Sequence, residues 1–141
     1  HGIELPLAPQ ATATEKTRFD DGLMKQVELF GEDMVKRQTD GPVLRRNINR
    51  WLADNCFGDY YTRNGLNDQE REMITFCFIL AQGGCENQLR GHTVGNFGVG
   101  NDKEKLYSIV EQCMPYIGYP RSLNAMSITG NGESIAYCRK I

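Results

Sequence analysis

Asn67-Asp68-Gln69-Glu70-Arg71-Glu72-Met73-Ile74-Thr75-Phe76-Cys77-Phe78-Ile79-Leu80-Ala81-Gln82-Gly83-Gly84 is the stretch that decides the fold class. Asn67 has the chemistry of a helix N-cap, and Glu70, three residues on, completes a capping-box pattern. Met73 to Ala81 is apolar almost all round, which predicts a buried central helix. Gly83-Gly84 then breaks it.

Outward from this stretch the helical period continues. On the N-terminal side Phe19, Leu23, Val27 and Phe30 recur at steps of four and three, and Gly31 stops the pattern. Leu44, Ile48, Trp51 and Leu52 make a second stripe that ends near Cys56-Phe57-Gly58. Asp59 to Gly65 reads as a turn or loop. On the C-terminal side a helix is expected from about Cys85 to Asn96, ending at Gly98 or Gly100. Asn101 is the expected cap of the next, with Glu104 three residues on and Leu106, Ile109, Val110 and Cys113 as its inner face. Pro115 is expected to end that helix, and Pro120 suits the first turn of a last one through Leu123 and Met126. No segment alternates as a strand. The expectation is an all-α domain of about six helices.

The chain has 141 residues, enough for one ordinary domain with its own core. Residues 1–14 mix Pro, Ala and Thr without period and read as an extended arm, either disordered or lying on a neighbouring subunit. Residues 15–141 form the expected helical domain. An apolar content of 40% with 24% charged residues fits a globular protein. A net charge of -2 supplies no electrostatic reason for a nucleic-acid or anionic-membrane partner. No apolar run approaches membrane-spanning length. Five cysteines, Cys56, Cys77, Cys85, Cys113 and Cys138, are an odd number without regular spacing. They suit a reducing compartment, and hence the cytoplasm, better than a disulfide framework. Export with a removed signal peptide is the alternative. With His92 the single internal histidine and the thiols scattered, no metal site is expected.

The residues that carry chemistry cluster after the glycine break. In Cys85-Glu86-Asn87-Gln88-Leu89-Arg90-Gly91-His92, a helical reading puts Gln88 and His92 four apart on one face, with Cys85 starting the same stripe. Cys85 falls at a predicted helix N-terminus, where exposed N–H groups and the dipole favour a thiolate. The plainer reading is a small buried hydrophobe, the better one for the other four cysteines. An imidazole titrates near neutrality and can take and give a proton, so His92 is the candidate general acid/base. A core histidine satisfied by a hydrogen bond is its plainer reading. Glu72 or Glu70 is placed either to orient His92 across a helix hairpin or to act as a base. A solvated first-turn acid is the stronger reading for Glu70. Arg63, Arg71 and Arg90 can hold a carboxylate bidentately, although a surface ion pair is the default for each.

Five segments in order also resemble the carboxymuconolactone decarboxylase family, which contains the AhpD-like alkylhydroperoxidases. Arg18-Phe19-Asp20-Asp21-Gly22-Leu23, followed by Phe30-Gly31-Glu32-Asp33-Met34-Val35, resembles the opening of the decarboxylase branch. Phe57 to Leu66, with its aromatics, hydroxyl, Arg63 and Gly65-Leu66, is similar to a loop of that branch. Arg71-Glu72-Met73-Ile74 resembles its Arg-Glu-Leu helix start, and Gln88-Leu89-Arg90-Gly91-His92 its Glu-Leu-Arg-x-His element. Tyr116-Ile117-Gly118-Tyr119-Pro120-Arg121-Ser122-Leu123-Asn124-Ala125 is similar to its ending.

The resemblance implies an all-α AhpD-like fold whose helix hairpins assemble into homo-oligomers, hexamers or trimers. It implies a small-molecule substrate and no cofactor. Decarboxylase members convert γ-carboxymuconolactone to an enol-lactone and carbon dioxide. On that reading His92, Gln88, Glu72 and Cys85 are the catalytic candidates, and Arg63, Arg71 and Tyr116 bind substrate. AhpD-like members instead use Cys-x-x-Cys-x-x-x-His as a peroxidase centre. Here Gln88 occupies the second cysteine's position, so the vicinal disulfide of that centre cannot form. A thiol peroxidase using Cys85, or a non-catalytic ligand-binding member, are the alternatives to the lyase.

Overall fold

The computed structural model describes residue 2 and residues 5–138, with the side chains of the last helix described as far as 132. His1 and the side chain of Cys138 lie outside the described residues. Among the described residues the chain is helical throughout: α1 (Arg18–Phe30), α2 (Asp33–Thr39), α3 (Arg46–Trp51), α4 (Asp68–Gln82), α5 (Glu86–Gly98), α6 (Lys103–Ile117) and α7 (Tyr119–Cys138), with no strand. The all-α expectation therefore holds, with seven α-helices rather than six. No described helix is long and apolar enough to cross a membrane. The chain divides into two compact units, His1–Leu66 and Asn67–Ile141.

In the first unit α1 ends where its apolar period stops. Gly31 takes φ 91°, and its N–H bonds the Val27 carbonyl at 2.8 Å. A β-carbon is costly at that angle, which explains a glycine there. A 3₁₀ turn, Val43–Arg45, leads into α3, which continues as a π-wound stretch over Leu52–Tyr61. The π winding extends three residues into the segment expected to be a loop. In it Ala53 and Gly58, five apart, fall on the same side, and both face Gly22 of α1. A β-carbon on Gly22 would run into the Ala53 carbonyl, and one on Gly58 into the Arg18 carbonyl. The two backbones therefore touch. Arg18 pairs with Asp59 across this seam. Phe57 is buried there, edge-on to Phe30 at 5.9 Å and 4.7 Å from Tyr61.

The expected second stripe is not the inner face. Leu44 is 97% exposed, and Ile48 and Trp51 are each 62% exposed, while Ala53, Phe57, Gly58 and Tyr61 are buried. The winding changes twice between Val43 and Tyr61, so a constant 3.6-residue period cannot be carried across it. Helix α2 was not foreseen because Met34 is its only buried residue and no apolar period marks it. It is fastened from outside, by Asn49 Nδ2 donating to the Arg37 carbonyl at 2.8 Å. The extended N-terminal segment is tied to its own unit: Thr12 Oγ1 donates to the Thr62 carbonyl at 2.8 Å, and the Asn64 N–H to the Gln10 carbonyl at 3.0 Å.

The second unit starts at the predicted capping box. Asn67 Oδ1 accepts the Glu70 N–H, and Glu70 Oε2 accepts the Asn67 N–H, both at 2.9 Å. Gly83 and Gly84, at φ 68° and 71°, break the chain after α4. The core gathers residues from all four helices: Phe76 and Leu80 of α4, Leu89 of α5, Leu106 and Val110 of α6, and Ala125 and Ile128 of α7. Each large side chain buried this way contributes about 1.5–3 kcal/mol.

Three expectations need correction here. The Met73–Ala81 stretch of α4 is apolar almost all round but not buried all round, since Phe78 is 71% exposed. The cap of α6 is Asp102, whose Oδ1 accepts the Lys105 N–H at 2.8 Å; Asn101 is 2% exposed and turned inward. Pro115 sits inside the last turn of α6, which ends at Gly118, φ 77°. A proline so near the C-terminus removes one backbone bond without stopping the helix. On α7, Pro120 is in the first turn as predicted, while Leu123 is 65% exposed and Ser122, Ala125, Ile128 and Thr129 are buried.

Candidate functional site

The capping box sets where α4 begins, and that phase puts Glu72, Phe76 and Leu80 on its buried face. Successive steps of four place the three on one stripe. Two of them make core. The third is a carboxylate with 0% exposure. A carboxylate removed from water needs a partner, and α5 supplies one. His92 Nδ1 lies 2.9 Å from Glu72 Oε2, and the imidazole is 16% exposed. An ionised carboxylate only accepts, so Nδ1 carries the hydrogen in this pair. In the neutral ring Nε2 then holds the lone pair. Glu72 thus orients the ring, as the carboxylate does in a His–carboxylate couple.

The pair is clamped by amides. Asn96, one turn beyond His92, is fully buried. Its Nδ2 donates to the His92 carbonyl at 2.7 Å and to the Glu72 carbonyl at 3.0 Å, joining α5 to α4 at the two residues that matter. Asn101 Nδ2 donates to Asn96 Oδ1 at 2.8 Å and to the Gln69 carbonyl at 2.9 Å. Lys105 Nζ donates to Asn101 Oδ1 at 2.8 Å. The resulting order is Lys105, Asn101, Asn96, then the backbones of Glu72 and His92. Each buried polar group in it has a partner, the condition under which such a network rigidifies a site. Sequence reasoning missed Asn96 entirely and gave Asn101 only a capping role. The available signal was Asn96 four residues after His92 in a helix, a poor position for asparagine unless its side chain is engaged.

Among the expected site residues, the structure brings Glu72 and His92 into contact. Gln88 is on α5 one turn before His92, and its side chain is exposed. Cys85 is the N-cap residue of α5, but its thiol does not cap that helix. Sγ instead donates back to the Ile79 carbonyl of α4 at 3.3 Å. Cys85 borders a shallow depression with Ile79, Leu89, Glu86 and Arg121, and neither Glu72 nor His92 lines it. Arg121 Nη1 donates to the Ala81 carbonyl at 2.6 Å, satisfying the end of α4. Arg71 is half-buried beside Glu72 on α4, Arg90 is exposed, and Tyr116 on α6 is 89% exposed. Arg63 is exposed in the first unit. No group of three or more His, Cys, Asp or Glu side chains that could hold a metal ion occurs among the described residues.

The profile of the carboxymuconolactone decarboxylase family matches residues 47–130, more than half of the chain. The chain belongs to that family. The match runs from α3 into α7 and contains the whole carboxylate–histidine pair with its asparagine clamp; α1 and α2 lie before it. A 4-carboxymuconolactone decarboxylase of Acinetobacter baylyi is 28% identical over 113 residues, covering 79% of this chain and 84% of the relative. The family resemblance carried by Gln88-Leu89-Arg90-Gly91-His92 and the flanking segments is thereby borne out.

Proposed function

We propose that this member of the carboxymuconolactone decarboxylase family is a cofactor-independent carboxy-lyase acting on a small carboxylated lactone of the 4-carboxymuconolactone type. The observation that carries the reading is the buried Glu72 carboxylate 2.9 Å from His92 Nδ1. A family profile and a relative named for this reaction support the substrate class.

The chemistry asks for few groups. When the carbon–carbon bond to the carboxylate breaks, carbon dioxide leaves and the electron pair spreads into a dienolate. That charge must be stabilised and the carbon then protonated. His92, oriented through Nδ1, exchanges the proton through Nε2. The Gln88 amide donates to the developing oxyanion, and Arg71 holds a carboxylate, with Tyr116 against the substrate. Cys85 is secondary, since its thiol is engaged with the Ile79 carbonyl and Gln88 stands where a second thiol would resolve it.

Turnover of 4-carboxymuconolactone, followed by ultraviolet absorbance, tests this directly. His92→Ala should keep the helical fold and lower turnover by roughly two to four powers of ten, the usual scale for a general acid/base. Cys85→Ser should change it far less. Hydrogen-peroxide consumption is measured alongside. A dead Cys85→Ser enzyme with a nearly normal His92→Ala enzyme would replace this reading with thiol chemistry. Indifference to both substitutions would make the protein a non-catalytic family member.

A further inference from the structure

The amide chain beside the carboxylate–histidine pair has a direction, and its chemistry fixes that direction. Lys105 Nζ only donates, and the main-chain carbonyls of Gln69, Glu72 and His92 only accept. Between them lie two side-chain amides, each with one acceptor oxygen and two N–H donors. Asn101 accepts Lys105 Nζ on its Oδ1 at 2.8 Å. It spends its Nδ2 on Asn96 Oδ1 at 2.8 Å and on the Gln69 carbonyl at 2.9 Å. Asn96 in turn spends its Nδ2 on the His92 carbonyl at 2.7 Å and on the Glu72 carbonyl at 3.0 Å. Neither amide can turn over without setting its oxygen against a carbonyl oxygen. Both are buried, so water does not compete for their bonds.

The place where this chain ends is informative. Asn96 holds the main-chain carbonyls of the same two residues whose side chains pair. Its bond to His92 is local, one turn back along α5. Its bond to Glu72 crosses to α4, 24 residues away in the sequence. Apolar contacts between the helices are non-directional and resist a small slip weakly. A hydrogen bond weakens steeply as it is misaligned. A slip of α5 along α4 would strain the Asn96 bridge and the 2.9 Å contact of His92 Nδ1 with Glu72 Oε2 together.

Taking His92 as the proton-transfer group proposed above, we propose that Asn96 is a positioning residue for the reaction. It bridges the Glu72 and His92 carbonyls and so holds α5 in the register that keeps the hydrogen on Nδ1 and the lone pair on Nε2. Asn101 fixes the orientation of the Asn96 amide, and Lys105 that of Asn101. Asn96 acts through the ring and touches no substrate. Without the bridge a neutral imidazole can carry its hydrogen on either nitrogen, and the reacting nitrogen loses its single defined state.

The experiment reads the ring first and turnover second, on the full chain. The histidines are His1 and His92, and His92→Ala assigns their signals. Nitrogen-15 NMR of the neutral wild-type ring should show one tautomer, with Nδ1 protonated and Nε2 bare. Asn96→Ala and Asn101→Ala should each give a mixture of tautomers. Asn101→Ala leaves both members of the pair and the bridging residue in place, so it carries the test if Asn96→Ala fails to fold. Asp102→Ala, which removes the adjacent exposed cap of α6, should keep the wild-type spectrum. In Asn96→Ala, kcat for 4-carboxymuconolactone should fall by roughly ten- to a hundredfold with KM little changed, the scale of an ångström-sized misplacement. In a Glu72→Gln background the same substitution should cost much less, because the pair it supports is already lost. A wild-type ring without the Nδ1 hydrogen, or a single Nδ1-protonated tautomer retained in the asparagine variants, would overturn the proposal whatever turnover does. An Asp102→Ala spectrum as mixed as that of Asn101→Ala, or an equal loss of kcat in both backgrounds, would overturn it too. A wild-type protein without turnover would remove the lyase reading and leave the tautomer to decide the role of the bridge.

Discussion

At the scale of single residues, the decisive fact is one carboxylate with no access to water and one imidazole beside it. Glu72 could as well have been a solvated first-turn acid; its 0% exposure and its 2.9 Å approach to His92 remove that reading. The pair has a consequence for the ring's tautomer. In Glu72→Gln the side chain keeps its shape but loses its charge. An amide can present either a donor or an acceptor to Nδ1, so the ring is no longer held with its lone pair on Nε2 and the imidazolium loses its counter-charge. Turnover of 4-carboxymuconolactone by Glu72→Gln should fall by roughly two or more powers of ten with little change in KM. A rise in KM alone, with kcat intact, would show that Glu72 holds substrate or structure rather than the histidine. His92 was legible in the sequence as the single internal imidazole. Residue chemistry leaves Glu70 and Glu72 as its partner, with Glu72 favoured and named by the family resemblance; which of the two α4 turns inward is settled by packing.

At the scale of elements, the ends of the helices were the most readable feature. The Asn67–Glu70 box, the Gly31 and Gly83-Gly84 stops and the Pro120 start all rest on chemistry confined to one turn, and all appear in the structure. The exception is instructive. Asn101 and Asp102 are adjacent, both are good caps, and only one can serve; Asp102 does, and the asparagine is released to bond Asn96 and Gln69. The two should be unequal in stability. Asp102→Ala removes an exposed cap and should cost about 1 kcal/mol. Asn101→Ala strips donors from two acceptors, one of them the buried Asn96 amide oxygen, and should cost about 2–3 kcal/mol. Chemical denaturation of the two variants settles the comparison. Equal costs would mean that the buried network contributes no more than a surface cap. Helix α2 and the π-wound stretch were not readable. The first has no apolar stripe, and the second is shaped by the close approach of Gly22 to Ala53 and Gly58.

At the scale of the molecule, the amount of apolar surface left in water bears on assembly. Leu44, Ile48 and Trp51 are exposed on one short segment of the first unit, and Phe78, Tyr116, Tyr119 and Leu123 in the second. Surface of this kind favours self-association, and we expect a homo-oligomer of three or six copies, as the family resemblance implies. Light scattering should report a multiple of 15.9 kDa at micromolar concentration. Trp51, the single tryptophan, should shift its emission to shorter wavelength as the protein is concentrated. A monomer mass with constant emission would remove the expectation. Sequence alone determined the helical class, most helix boundaries and the histidine at the centre of the site, since capping, backbone breaking and side-chain acidity act over a few neighbouring residues. It also carried the family, through five short segments in order. Tertiary structure decided that Glu72 meets His92 and that Asn96 and Asn101 clamp them. Each of those contacts joins side chains on different elements. Their meeting depends on the angle and register at which helices pack around a shared core, and no local period encodes that.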